Sequence, residues 1–85
     1  MEQRERTFRG ISARAALGYL EGLGGERTGE NAIEGDGWYV SVSADTVSVG
    51  PSLQLTELTI QFEGDSEALD PLIEKFAQKA MRAGG

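Results

Sequence analysis

Residues 35–65 read GDGWYVSVSADTVSVGPSLQLTELTIQFEGD, and how this stretch alternates decides the fold. Trp38, Val40 and Val42 alternate with Tyr39, Ser41 and Ser43. Successive side chains of a strand point to opposite faces, so this is a half-buried strand with Trp38 inward and Tyr39 outward. Gly35-Asp36-Gly37 ahead of it is a hairpin signal, with small residues where positive φ is wanted. Ala44-Asp45 reads as a second tight turn before Val47 and Val49, and Gly50-Pro51 breaks the pattern. From Ser52 to Glu63 the chain is again strand-like, but its phase changes. Leu53 and Leu55 sit on odd positions, whereas Leu58, Ile60 and Phe62 sit on even ones. A regular strand cannot turn both sets toward one core. The change predicts a β-bulge near Thr56-Glu57. The alternative is that Leu53 and Leu55 cover a second, outward apolar patch.

Helices flank this β-rich centre. Ser12 is a good N-cap, since its hydroxyl accepts from the free amides of a first turn. Behind it Ala13, Ala16, Leu17, Leu20 and Leu23 fall at helical spacing and make one stripe. Gly18 and Gly22 weaken that helix but leave room for a close approach to a sheet. Gly24-Gly25 ends it. Near the other end, Asp70-Pro71 reads as N-cap and first helical position, with Ser66 as a possible earlier cap. Leu69, Leu72, Ile73, Phe76, Ala80 and Met81 form the apolar stripe of that second helix. Glu5–Arg9 is a weak first strand with Phe8 inward, and Glu26–Glu34 is an acidic loop running into a short strand at Ala32-Ile33. The expected architecture is therefore one α+β domain over residues 1–85. It is a two-layer sandwich in the order β-α-β-β-β-α, with a mostly antiparallel four-stranded sheet and both helices on one face.

Composition narrows the chemistry. The chain has 85 residues, no Cys and no His, and a net charge of −6. Disulfides, thiolate nucleophiles and the usual zinc sites are excluded, and the commonest general base near neutral pH is missing. No cofactor or metal is expected. Residues 15–70 carry eleven acids against Arg27 alone, while both ends are net basic. A long acidic middle argues against nucleic acid, whose binding rests on neutralised phosphates. Two Lys against fourteen acids is the balance of a salt-adapted protein. No apolar run approaches the roughly 20 residues of a membrane span, and MEQRERTF lacks the apolar core of a signal peptide. The expected location is the cytoplasm.

Paired acids such as Glu34/Asp36 and Asp65/Glu67/Asp70 lie at turns and helix starts, where capping and the helix dipole account for them. No catalytic residue is assigned. The candidate binding surface is the outward face of the sheet, with Tyr39, Ser41, Ser43, Thr59 and Gln61, offered to a protein partner or to a second copy. The N-terminal arginines read as the charged guard of an edge strand.

Four stretches, FRGISARAALGYLEGLGG, GDGWYVSVS, LTELTIQFEGD and DPLIEKFAQKAMRAGG, together resemble the MoaD-related C-terminal domain family of archaeal and Thermus type. MoaD itself is the small subunit of molybdopterin synthase. The resemblance implies an accessory domain in molybdopterin or sulfur-carrier metabolism. In that family the sulfur-carrying task belongs to a β-grasp domain, which this chain lacks. The closing Gly84-Gly85 is the feature that suggests a carrier or modifier tail instead. An amphipathic helix running into it makes Gly84 a helix cap and leaves two residues, about 7 Å of extended chain, to reach an activating enzyme. A small-molecule regulatory domain is the third reading.

Overall fold

The computed structural model describes residues 2–84, with side chains over 2–81. The elements follow in the order β1 (Glu2–Arg9), α1 (Ala13–Gly22), β2 (Glu26–Gly29), β3 (Ala32–Gly35), β4 (Trp38–Ser48), β5 (Gln54–Gly64) and α2 (Ser66–Gly84). The five strands form one sheet in the order β1-β5-β4-β3-β2, antiparallel at every pairing. This is the α+β class expected, with one strand more than the four anticipated. The extra strand is β2, which lies in the segment read as an acidic loop. Every residue of β2 is exposed, so it has no apolar alternation to reveal it.

The core lies between the sheet and the helices. Val40, Leu58, Ile60 and Phe62 project from the inner face of β4 and β5 and are fully buried. Against them pack Ala16, Leu17 and Leu20 of α1, and Leu69, Leu72, Ile73 and Phe76 of α2. The Ser12 cap forms as expected, its Oγ accepting from the Ala15 amide at 3.1 Å. Helix α1 closes in a two-bond stop. The Gly25 amide donates to the Leu20 carbonyl at 3.0 Å and the Gly24 amide to that of Glu21 at 3.1 Å. Gly24 supplies the left-handed φ of +101° that this closure needs.

Several local expectations are corrected. Gly18 and Gly22 face open space and bring nothing close. The close approaches are at Gly25 and Gly35, where a Cβ would fall 2.6 Å and 2.0 Å from the Trp38 indole. Trp38 is thus seated over two bare stretches of backbone, which is how so large a ring is buried in so small a domain. Helix α2 begins at Ser66 and not at Pro71. The Asp65 carbonyl accepts from the amides of Ala68 and Leu69, both at 2.9 Å, and Glu67 lies in the first turn. Pro71 then sits inside the helix on its exposed side, so the missing amide faces away from the core. Met81 is 75% exposed and does not belong to the buried stripe. Gly84 continues the helix instead of capping it, and Gly85 lies outside the described residues.

The largest correction concerns the phase change. Strands β4 and β5 pair without interruption from Trp38↔Gly64 to Ser48↔Gln54. There is neither a turn at Ala44-Asp45 nor a bulge at Thr56-Glu57. The second alternative holds, with Leu53 and Leu55 on the outward face, 58% and 36% exposed. Burial on the inner face stops at Val42 and Leu58. Beyond these residues the hairpin leaves the sheet as a two-stranded arm, which accounts for the elongated shape of 43 × 24 × 21 Å.

Candidate functional site: the outer sheet face and its arm

Because β4 and β5 keep one register, their odd-numbered residues share a single face, and it is the face away from the helices. Tyr39 lies between Glu34 of β3 and Glu63 of β5, Ser41 is opposite Gln61, and Ser43 is opposite Thr59. The five residues singled out from the sequence are therefore brought together as neighbours on one surface. Tyr39 is 38% exposed. On β1, Thr7 and Glu5 extend the same face beside Thr59 and Gln61. The Gln3 amide donates to Glu63 Oε1 at 2.9 Å across that edge. A shallow depression beside Tyr39 is lined by Glu34, Gly35, Trp38 and Glu63.

Farther along, the same face changes character. Val47 is opposite Leu55, and the Val49 amide donates to the Leu53 carbonyl at 2.9 Å at the tip. These four apolar side chains stand in one patch. Thr46, Ser48, Gln54 and Thr56 occupy the other side of the arm. The arm is therefore amphipathic in the opposite sense to the sheet, which buries its even residues. Sequence reasoning did not place this arm. The signal for it was the run Thr46–Thr56, eleven residues without a charge in a chain that is 26% charged.

Two arginines of β1, Arg4 and Arg9, are paired with acids of the same chain. Arg9 Nε donates to Glu57 Oε2 at 2.8 Å, and Arg4 bridges Glu2 and Asp70. The hydrogen bond to Asp70, and then that to Glu2, raise the Arg4 pKa above its usual value and keep it charged. No polar or charged residue among those described is buried, and no three acids come together where they could hold a metal ion. Among the described residues no helix is long and apolar enough to cross a membrane.

A family model of the archaeal MoaD-like protein matches residues 4–85, nearly the whole chain. The chain belongs to this family. A search of the curated proteins finds no significant match. The resemblance read from the sequence is thus borne out, and it links the chain to the molybdopterin and sulfur-carrier proteins in coarse terms. The MoaD-like match takes in β1 from Arg4 onward and all six later elements, so the outer face from Arg4 on, the arm and α2 lie inside the matched region. The topology of this MoaD-like chain has β1 at an edge of a wholly antiparallel sheet and a helix as its last element. A β-grasp carrier instead ends on a strand that leads into its tail.

Proposed function

We propose that this MoaD-like chain is a non-catalytic association domain of molybdopterin or sulfur-carrier metabolism, acting in the cytoplasm. It engages a protein partner through the outer sheet face around Tyr39. The observation that carries this reading is the one-sided sheet. Both helices cover the inner face, while the outer face presents a large aromatic side chain between Glu34 and Glu63, with hydroxyl and amide groups next along the strands. Tyr combines an apolar body with a hydrogen-bonding tip, and such residues anchor interfaces. The test is calorimetric titration against a β-grasp sulfur carrier and against a carrier-activating enzyme. One of the two is expected to bind. Tyr39→Glu is expected to weaken that binding by tenfold or more, about 1.4 kcal/mol at the least. Absence of binding by either protein, or binding indifferent to Tyr39→Glu, would overturn the reading.

A second reading has one observation in its favour: the family match extends through Gly84-Gly85. On that reading Gly85 is adenylated and converted to a thiocarboxylate. Helix α2 carries the backbone to Gly84. Incubation with ATP, a sulfur donor and a carrier-activating enzyme, followed by mass spectrometry, separates the two. The association reading expects no adenylate or thiocarboxylate mass while a β-grasp carrier in the same mixture reacts.

A further inference from the structure

We infer that the row Glu26, Glu34, Tyr39 and Glu63 on the outer face docks an arginine-bearing segment of a partner protein. The inference deepens the association reading and rests on it, naming the chemistry of the partner. Three observations lead there.

The first is where the charge lies. Strand register places Glu5, Glu26, Glu34, Asp45, Glu57 and Glu63 on the outer face, against Arg9 alone. The rest of the chain carries eight acids and seven basic residues. Five of the six net negative charges therefore stand on this one face. A field so one-sided attracts a cationic partner and repels an acidic one, a second copy stacked by the same face included.

The second is how the like charges are handled. Two pairs of carboxylates stand directly opposite one another across strands, Asp45 with Glu57 and Glu26 with Glu34. Like charges so placed destabilise a sheet. In the first row the chain supplies the relief itself, since Arg9 of β1 donates from Nε to Glu57 Oε2 at 2.8 Å. In the second row it does not. The β1 residue opposite Glu63 is Gln3, whose neutral amide donates to Glu63 Oε1 at 2.9 Å. Among the described residues no cation forms a salt bridge with Glu26, Glu34 or Glu63. One row of the sheet thus shows the group its carboxylates take, an arginine, and the other row lacks it.

The third is shape. Tyr39 stands in the second row between Glu34 and Glu63. The depression beside it is lined by these three residues together with Trp38, Gly35 and Gly37. A second hollow shares Glu34 and Gly35 with the first and is lined also by Glu26 and Asp36. Arginine suits the first hollow better than lysine, because its flat guanidinium stacks on an aromatic ring and still bonds to carboxylates. Neighbouring strands lie about 4.8 Å apart, so the midpoint of Glu26 and Glu34 is about 7 Å from Tyr39. Alternate residues of an extended segment are also about 7 Å apart. The row therefore fits arginines at alternate positions of a segment laid across the strands. One lies over Tyr39 between Glu34 and Glu63, and the next lies between Glu26 and Glu34.

Titration with the acetylated and amidated peptide Gly-Ser-Arg-Thr-Arg-Ser-Gly, followed through backbone amide shifts at low salt, tests this. Shifts are expected around Glu26, Glu34, Tyr39 and Glu63, and they should fade as salt is added. The same peptide with citrulline in place of both arginines keeps the shape without the charge and should give none. The double variant Glu34→Gln/Glu63→Gln is expected to weaken the arginine peptide by about tenfold or more. Glu74→Gln, on the exposed side of α2, should leave it unchanged. In the free chain Glu34→Arg is expected to raise the melting temperature, because it ends the opposition of Glu26 and Glu34, and to abolish binding. Arginine and citrulline peptides that behave alike, binding indifferent to Glu34→Gln/Glu63→Gln, or shifts gathered on the helices would each overturn the inference. A carrier or activating enzyme whose binding depends on Tyr39 but not on Glu34 and Glu63 would remove the arginine and leave the association reading standing. Peptide binding at the row with neither protein bound would do the reverse.

Discussion

Phe76→Ala is expected to cost about 4 kcal/mol of folding stability, the middle of the range for emptying a buried Phe site. Phe76 is fully buried. Its ring meets Phe8 of β1 at 5.2 Å, and Tyr19 of α1 and Phe62 of β5 at 6.1 Å each, all edge to face. Three elements that are far apart in sequence are thus held by one side chain of α2. Each such aromatic pair adds about 0.5–1.5 kcal/mol beyond burial, so truncation loses more than transfer energy alone. The whole stability of a domain this long is about 4–13 kcal/mol. Phe76→Ala therefore takes a third or more of it. Urea unfolding followed by Trp38 fluorescence checks the loss as a lowered midpoint with an unchanged slope. Leu53→Ala, at a side chain 58% exposed, should move the same midpoint hardly at all. A Phe76→Ala loss below 1 kcal/mol would mean that α2 is not docked through this ring.

Gly64→Ala is the second large effect, expected near 3 kcal/mol, and it acts through the backbone. Gly64 has φ +150°, which L side chains rarely adopt. A Cβ there would fall 2.2 Å from the Gly37 carbonyl oxygen and 2.9 Å from the Trp38 Cα. Neither atom is the end of a flexible side chain that can swing away. The Gly37 carbonyl also accepts from the Asp65 amide at 3.2 Å, at the point where the chain leaves β5 for α2. The substitution must therefore open the Trp38↔Gly64 end of the sheet and disturb the start of the last helix together. Thermal melts of Gly64→Ala beside Gly18→Ala distinguish this from a generic glycine effect. Gly18 faces open space in a helix, so its replacement is expected to stabilise, by up to about 1 kcal/mol.

The two helices and the inner face were legible because their signals are local. Ala13, Ala16, Leu17 and Leu20 repeat at helical spacing, Ser12 caps them, and Val40 to Val42 and Leu58 to Phe62 alternate cleanly. What was misread depended on partners distant in sequence. The phase change at Leu53 and Leu55 left a bulge and an outward patch both open, because alternation alone does not say where the core ends. In fact the strands outrun the helices, and past Leu58 there is no core left to face. Strand β2 has nothing apolar to show, since an edge strand with both faces wet is held by backbone pairing to β3. The true start of α2 was hidden by Pro71, whose preference for a first turn is only a preference when the missing amide points to solvent. The seat of Trp38 over Gly25 and Gly35 was invisible, because close approach is a tertiary fact. Of the outer face, Tyr39, Ser41, Ser43, Thr59 and Gln61 followed from alternation alone. The arm that completes that face did not.

The central claim is that the outer face of β4 and β5 is the contact surface of this MoaD-like chain. Backbone amide shifts, followed by NMR as a binding partner from the titrations is added, test it most directly. Shifts are expected at Tyr39, Ser41, Ser43, Val47, Leu53, Leu55, Thr59 and Gln61, with the amides of α1 unmoved. Shifts gathered on the exposed sides of α1 and α2, with β4 and β5 silent, would contradict it.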